Sequence, residues 1–333
     1  MDDQLSQVAR NLVAGGRGVF AADASPKTLG KRAQEIGLSL DTLEARLAYR
    51  AMTLATDGLG QYIGGVILHE EALSLIPELT KQNILPGVKV DQGTAEMQPG
   101  SIEKITQGLT DLPQRLEMYQ YQGAKFTKWR AVLTITSQTP TAQNIDSNAA
   151  ALASFARLSQ EAGLVPIVEP EILMEGDHTS DRCADVTRLV GKKVFAALLE
   201  QEVDLSAMLY KPNMIVAGKN CPSQPSLSQV AEKTVGVMQE IVAAKLPGIV
   251  FLSGGQEAIL ATQRLNEIAK LGAGTPWRRS FSFERALEGP AMQVWAGKDE
   301  NVSLAQQVLL HRAKCNSLAS VGQYTMEVEN NEI

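Results

Sequence analysis

The sequence predicts an α/β fold of the (β/α)8 (TIM) barrel type, in one domain that spans residues 1–333. Short apolar runs alternate eight times with helical segments, and strictly alternating strands and helices form a parallel sheet. No stretch has the composition of a linker, and eight such units close naturally into a barrel. Seven of the eight apolar runs end in a polar residue, as expected where strands open into an active site. An open, doubly wound sheet is the alternative.

The first half of the chain supplies four of the predicted strands. An N-terminal helix is predicted from Leu5, Val8 and Leu12, which recur at helical spacing before a glycine pair. Further helices are predicted at about 46–54 and 116–121. Apolar runs bounded by polar residues and glycines predict strands at 18–22, 62–68, 84–88 and 124–132.

The second half repeats the alternation four more times. Strands are predicted at 164–171, 207–211, 248–252 and 280–283. Helices are predicted at about 148–162, 184–202, 226–244, 257–271, 291–296 and 304–320. Ser226 and Gln229 form a capping box at the start of the third of these helices. Residues from about 327 to 333 are polar and acidic, which predicts a flexible C-terminal tail.

The composition indicates a globular enzyme that does not bind nucleic acid or a membrane. The net charge of -6 and the pI of about 5.3 argue against a surface for nucleic acid or anionic lipid. The first residues lack a secretory signal, and no apolar run reaches membrane-spanning length. Three cysteines lie far apart without a C-x-x-C pair, which is typical of a reducing compartment. We therefore expect a cytoplasmic protein.

A lysine at the mouth of the sixth predicted strand is the first candidate catalytic residue. Lys211 interrupts an apolar run and is followed by Pro212. Because proline has no N–H for a sheet, pairing should stop there, which places Lys211 at the carboxyl end of the strand. Partial burial and a neighbouring cation lower a lysine's pKa toward the neutral amine that attacks carbonyl groups. A lysine that merely extends into solvent is the alternative.

Charged residues end most of the other strands as well. In a barrel these ends converge on one face. Side chains two apart on a strand share a face, so each pair of charged residues spaced in this way should face the same mouth. Lysines beside glutamates that can move protons favour covalent carbonyl catalysis. The strand-end residues are Asp23, Lys89, Lys128, Arg130, Glu169, Glu171, Lys211, Ser253 and Arg285.

Residues at the same mouth can also hold phosphate. Ser253 and Gly254 precede a helix, so backbone N–H groups and the helix dipole can bind an anion there. Arg285 from the next strand is a suitable partner for that anion. Lys89 and Arg130 could hold a second phosphate across the mouth.

Other chemistries lack their sequence motifs, so we expect neither a cofactor nor a metal. No G-x-G-x-x-G follows the first strand and no G-x-x-x-x-G-K-[ST] occurs, which disfavours nucleotide binding. His69, His178 and His311 do not fall at metal-ligand spacing with one another. The absence of G-x-S-x-G disfavours a serine hydrolase.

Over nearly its whole length, the sequence resembles the class I (Schiff-base) fructose-1,6-bisphosphate aldolases. Three segments are similar to the family's lysine motif, glutamate motif and phosphate loop: Leu209-Tyr-Lys211-Pro-Asn-Met214, Val168-Glu169-Pro-Glu171-Ile-Leu173 and Phe251-Leu-Ser253-Gly-Gly-Gln256. The remaining signatures resemble segments 21–23, 87–93, 128–130 and 285–287, in the family's order.

The resemblance implies a lyase that reversibly cleaves fructose 1,6-bisphosphate to dihydroxyacetone phosphate and glyceraldehyde 3-phosphate in glycolysis and gluconeogenesis. It implies that Lys211 forms the imine, that Glu169 shuttles protons and that Asp23 takes the proton of the C4 hydroxyl. Lys128 would stabilise developing charge, and Glu171 would support the lysines.

The resemblance also implies where the two phosphates bind and that the enzyme is a homotetramer. Ser253, Gly254 and Arg285 would hold the 1-phosphate. Lys89, Arg130 and Ser25 would hold the 6-phosphate.

The sequence departs from the family pattern in three places. Ala24 stands where the family has an acid, and Glu284 stands where it has a glycine. A carboxylate beside a phosphate site adds like charge, so either Glu284 points away or affinity for the 1-phosphate is altered. The chain ends without the terminal tyrosine of the animal enzymes, and we expect the acidic tail to be dispensable for cleavage. Tyr324, the nearest phenol, is interpreted as a packing residue.

Two other functions stay open at the level of sequence. A sedoheptulose-1,7-bisphosphate aldolase would use the same dihydroxyacetone-phosphate half-site. A non-catalytic relative could bind sugar phosphates or a protein partner, because fold alone does not guarantee activity. The joint presence of Lys211, Glu169, Asp23 and Lys128 argues against this second alternative.

Overall fold

The computed structural model describes residues 2–331, in which eight parallel strands close into a barrel. The strands are β1 (Gly18–Ala22), β2 (Ile63–Leu68), β3 (Leu85–Lys89), β4 (Thr94–Glu96), β5 (Lys104–Thr106), β6 (Phe126–Leu133), β7 (Val165–Ile172), β8 (Leu209–Tyr210), β9 (Gly248–Phe251) and β10 (Arg278–Phe283). The barrel order is β1-β10-β9-β8-β7-β6-β3-β2, and β4 pairs with β5 in a separate hairpin. Because β1 pairs with β10, the sheet is closed, and the predicted (β/α)8 barrel is confirmed.

Helices surround the barrel on the outside. They are α1 (Asp2–Leu12), α2 (Pro26–Glu35), α3 (Leu43–Leu54), α4 (Ile76–Lys81), α5 (Leu112–Tyr121), α6 (Ala142–Glu161), α7 (Ser180–Glu200), α8 (Leu227–Ile241), α9 (Ala258–Leu271), α10 (Arg285–Trp295), α11 (Val302–Ser320) and α12 (Met326–Asn330). Short 3-10 turns lie at Ala14–Gly16, Leu59–Gln61, Glu70–Leu75, Leu205–Ala207 and Asp299–Asn301. Within residues 2–331, no helix combines the length and apolar character needed to cross a membrane.

The barrel interior is a packed apolar core that helix α1 closes from below. Val19, Ile67, Phe126 and Val250 lie in this inner cluster together with Leu12 from α1. A larger cluster fills the space between the outer face of the sheet and the helices. Apolar filling of the interior leaves the carboxyl ends of the strands as the place where polar side chains can gather.

The structure adds elements that the sequence analysis did not predict. Helix α2 follows β1 directly: Ser25 caps it by accepting a hydrogen bond from the Thr28 N–H, and Pro26 occupies its first turn. Helix α6 begins at Ala142, six residues before the predicted start, because Thr141 caps it there. Strand β8 is only two residues long, which agrees with the expected stop at Pro212.

The C-terminal segment differs from the expected flexible tail. Residues 326–330 form helix α12, and the Glu329 carboxylate pairs with the buried Arg312 guanidinium. The Tyr324 hydroxyl donates to Glu329 Oε2 at 2.7 Å, and Tyr324 is buried. The polar composition of this segment predicts a mobile tail, whereas in the structure a buried ion pair holds helix α12 against α11. Residues 332–333 lie outside the described part of the chain.

Candidate active site

A cavity of about 300 Å³ opens at the carboxyl ends of the barrel strands. It brings together every residue that the sequence analysis placed in the site. The predicted residues that line it are Asp23, Ser25, Lys89, Lys128, Arg130, Glu169, Glu171, Lys211, Ser253, Gly254 and Arg285.

Lys211 lines this cavity because strand β8 ends immediately before it. Its backbone N–H donates to the Val168 carbonyl at 2.8 Å, which fixes the residue beside β7. Pro212 then accepts a hydrogen bond from the Leu252 N–H through its carbonyl, at 3.0 Å. The Lys211 side chain is only 4% exposed. The amine is therefore held in a desolvated position that a small ligand in the cavity can reach.

The carboxylate of Glu169 lies between two lysines. Glu169 Oε1 lies 3.3 Å from Lys211 Nζ, and Glu169 Oε2 lies 2.8 Å from Lys128 Nζ. Lys128 also donates a hydrogen bond to Asp23 Oδ2 at 2.9 Å. Two cations and two anions thus form one continuous buried chain from β1 through β6 and β7 to Lys211. A chain of this kind can exchange protons without solvent.

The surroundings shift the pKa values of the two lysines in opposite directions. Burial lowers the pKa of Lys211, Glu169 opposes this effect, and the positive charge of Lys128 adds to it. Burial alone would also lower the pKa of Lys128, but the Asp23 and Glu169 carboxylates outweigh it and raise that pKa above its ordinary value. Lys211 is therefore the better nucleophile and Lys128 the permanent cation.

The same lysines keep the two acids ionised. Burial by itself would raise the pKa of Asp23 and of Glu169, but the charge of Lys128 lowers both. Lys211 lowers them further. Both carboxylates can therefore accept a proton during a reaction.

Two further ion pairs line the rim of the cavity. Lys89 Nζ lies 2.6 Å from Asp91 Oδ1. Arg130 donates through Nε to the Glu171 carboxylate, and within the described residues no lysine lies within 4.0 Å of that carboxylate. Strand register aligns Glu171 with Val132, beyond Arg130, so its carboxylate contacts this arginine rather than a lysine.

A glycine turn after β9 supplies an anion site. Gly254 and Gly255 have φ of +58° and +87°, a region that favours glycine. A Cβ on Gly255 would lie 2.5 Å from Arg285 Nη2, so only glycine lets this guanidinium lie against the loop. Arg285 is the first residue of α10, and it pairs with no carboxylate within 4.0 Å in the part of the chain that the structure describes. Backbone N–H groups and a free guanidinium can therefore bind phosphate here.

Potential metal ligands gather at a different place. His311, Cys315 and Glu329 offer ligand atoms within 4.8 Å of one another on α11 and α12, a cluster that the spacing of the histidines did not predict. Arg312 already neutralises the Glu329 carboxylate. Burial raises the pKa of the Cys315 thiol to about 12. The surroundings therefore favour the ion pair between Arg312 and Glu329 over the binding of a metal ion.

The family model described as fructose-bisphosphate aldolase class-I matches residues 4–333.

The chain belongs to the class I fructose-bisphosphate aldolase family.

Similar aldolases come from distant organisms. The fructose-bisphosphate aldolase of Dictyostelium discoideum is 44% identical, over 98% of this chain and 94% of its own. The probable class 1 aldolase of Xanthomonas campestris is 42% identical, over 97% of this chain and 98% of its own. The Plasmodium falciparum aldolase, solved in complex with TRAP and a small-molecule inhibitor, superposes with a TM-score of 0.94 at 43% identity, covering 97% and 95% of the two chains.

Several residues of this aldolase line the cavity although the sequence analysis did not assign them to the site, and three of them carry polar or charged groups that bear on substrate binding: Thr28, Arg32 and Glu284. Thr28 and Arg32 lie on α2, and Glu284 lies between β10 and α10. The Ser25-Pro26 pair is a helix-start signal that could have revealed α2 and the position of Arg32. Glu284 was singled out as a departure, and it points into the cavity rather than away.

Proposed function

We propose that this class I aldolase reversibly cleaves fructose 1,6-bisphosphate to dihydroxyacetone phosphate and glyceraldehyde 3-phosphate through an imine on Lys211. The observation that carries the proposal is the buried chain of Lys211, Glu169, Lys128 and Asp23 at the mouth of the barrel. Its two lysines have opposite pKa shifts, as a nucleophile and a fixed cation require.

Lys211 and Glu169 act together in imine formation. The neutral amine attacks the ketose C2, and the carbonyl oxygen must leave as water after it has gained two protons. The attacking nitrogen gives up one of these protons, which Glu169 is close enough to carry to the departing oxygen, and water supplies the other. The resulting positive iminium then withdraws electrons from the neighbouring carbon atoms.

Bond cleavage needs a base on the other side of the cavity. Asp23 is ionised and takes the proton of the C4 hydroxyl, so the C4 oxygen forms a carbonyl as the C3–C4 bond breaks. The electron pair of that bond moves to C3 and forms the enamine with the Lys211 nitrogen. Lys128 lies beside Asp23 and stabilises the negative charge that develops on the C4 oxygen. Protonation at C3 and hydrolysis of the imine then release dihydroxyacetone phosphate.

The phosphate-binding groups orient the substrate across this chain. Ser253, Gly254 and Arg285 are proposed to hold the 1-phosphate, near Lys211. Lys89, Arg130 and Ser25 are proposed to hold the 6-phosphate. Glu171 positions the Arg130 guanidinium through their ion pair.

The cellular setting is also a proposal. We propose that the enzyme acts in glycolysis and gluconeogenesis as a homotetramer, as family membership implies, and that it is located in the cytoplasm. The three cysteines are buried and unpaired, which supports a reducing compartment.

Release of dihydroxyacetone phosphate from fructose 1,6-bisphosphate by the purified protein tests the proposal. Cleavage by the wild type and none by Lys211→Arg is the expected result. If the wild type releases no more product than the variant, the proposed reaction is wrong.

A further inference from the structure

A carboxylate faces one of the arginines inside the substrate cavity. Glu284 follows β10 and Arg32 lies on α2, and both side chains line the cavity. Arg32 donates through both terminal nitrogens: Nη1 to Glu284 Oε1, and Nη2 to Glu284 Oε2 at 3.1 Å. The two planar groups are thus paired through two parallel hydrogen bonds.

This pair occupies a place where a substrate phosphate can bind. Ser25, Thr28 and Arg32 all line the cavity from α2, and Ser25 is one of the groups proposed for the 6-phosphate. The Arg32 and Glu284 side chains are 19% and 25% exposed, so a ligand in the cavity can reach both. An arginine fork fits a carboxylate and a phosphate in the same geometry. A phosphate that uses both nitrogens of Arg32 must therefore displace Glu284.

The backbone keeps the Glu284 carboxylate near its partner. The Glu284 carbonyl accepts hydrogen bonds from the Leu287 and Glu288 N–H groups, each at 2.9 Å, which fixes it at the start of α10. Arg285, the next residue, lies against the phosphate loop instead. Two successive residues thus have different roles. Arg285 has no carboxylate partner within 4.0 Å among residues 2–331 and can bind a phosphate, whereas Glu284 neutralises Arg32 on α2.

We propose that Glu284 determines specificity by competing with the second phosphate of a ketose bisphosphate for Arg32. The competition lowers the affinity of the cavity for the 6-phosphate more than for the 1-phosphate, because the carboxylate pairs with Arg32 and not with Arg285. The enzyme therefore discriminates less between a bisphosphate and a 1-monophosphate than the same cavity would without this carboxylate. This inference rests on the proposed function for the identity of the two phosphates.

Glu284→Gln tests the proposal because it removes the charge and keeps the size of the side chain. The ratio of kcat/KM for fructose 1,6-bisphosphate to that for fructose 1-phosphate should rise by about fivefold, since a partly exposed ion pair is modest in strength. Glu35→Gln is the matched control. It removes one negative charge from an exposed position on α2, one turn after Arg32. The control should leave the ratio unchanged.

Coupling between the two residues distinguishes competition for Arg32 from a general charge effect. In an Arg32→Met background, Glu284→Gln should no longer change the ratio, because the guanidinium for which the carboxylate and the phosphate compete is absent. An unchanged ratio in the single Glu284→Gln variant, or an equal rise for both substrates, would contradict the proposal. An undiminished rise of the ratio on Glu284→Gln in the Arg32→Met background would also contradict the proposal.

Calorimetric binding separates this inference from the proposed reaction. In a Lys211→Arg background that does not turn over substrate, Glu284→Gln should still lower the Kd for fructose 1,6-bisphosphate by about fivefold. Tighter binding without any cleavage by the wild type would refute only the reaction. Cleavage by the wild type with unchanged binding in the variant would refute only the role of Glu284.

Discussion

Oε1 of Glu169 lies 3.3 Å from Nζ of Lys211, and neither side chain is more than 4% exposed. This pair balances two opposing demands on the lysine. Burial lowers the pKa of Lys211, whereas the Glu169 carboxylate raises it and limits the net shift. The same carboxylate is near enough to carry protons to and from the nitrogen.

Replacing Glu169 with glutamine separates these two effects. Without the carboxylate, the pKa of Lys211 falls further, so the rate of borohydride trapping with dihydroxyacetone phosphate should begin to rise at a lower pH. At the same time kcat should fall by at least about 100-fold, because the proton carrier is lost. Glu171→Gln is the control, since Glu171 pairs with Arg130. In this variant the trapping rate should begin to rise at the same pH as in the wild type. A shift to higher pH in Glu169→Gln would contradict this account.

The buried carboxyl group of Glu288 should make the stability depend on pH. Burial raises its pKa to about 7, and the Tyr49 hydroxyl donates to it at 3.1 Å. A glutamate in the unfolded chain titrates near about 4.3, so the folded protein binds this proton more tightly. The resulting stabilisation is complete at low pH and is lost as the pH rises toward 7.

Glu288→Gln fixes this side chain in a neutral state. Relative to the wild type, it should raise the free energy of unfolding by about 3 kcal/mol at pH 8 and by less than about 1 kcal/mol at pH 5. Urea unfolding of both proteins at the two pH values measures the difference. A gain of the same size at both values would show that the effect does not come from titration of Glu288.

The C-terminal helix should contribute to stability rather than to cleavage. Glu329 neutralises Arg312, and their side chains are 9% and 5% exposed. Glu329→Gln leaves the buried guanidinium without a counter-charge, so the free energy of unfolding should fall by about 3 kcal/mol. The kcat for cleavage should stay within about threefold of the wild type, under about 0.7 kcal/mol in barrier. The exposed Glu327 offers the control Glu327→Gln, which should change neither quantity. A tenfold loss of kcat with intact stability would instead assign the helix a part in catalysis.

Removal of metal ions should not change the rate. The iminium on Lys211 supplies the electron withdrawal that a divalent ion would otherwise provide, and lysines and arginines supply the positive charge of the cavity. Prolonged dialysis against EDTA followed by a cleavage assay checks this expectation. A loss of activity that zinc restores would contradict it.

The sequence predicts the barrel and the gathering of the proposed catalytic residues at its mouth because both depend on local patterns. Pro212 marks the end of β8 and so locates Lys211, and the strand ends must meet on one face once the barrel closes. Partners across the cavity depend on register and on helix placement instead. The pairing of Glu171 with Arg130 follows from how β6 and β7 align. The pairing of Arg32 with Glu284 joins residues 252 positions apart, and no local pattern contains it.

Reductive trapping of the substrate tests the central claim most directly. The protein is incubated with dihydroxyacetone phosphate and sodium borohydride, and its peptides are analysed by mass spectrometry. The imine mechanism predicts loss of activity together with one reduced adduct, on the peptide that contains Lys211. Lys211→Arg should remain folded by circular dichroism and should acquire no adduct, because its guanidinium offers no usable amine. An adduct on another lysine, or inactivation without any adduct, would contradict the assignment of Lys211 as the nucleophile.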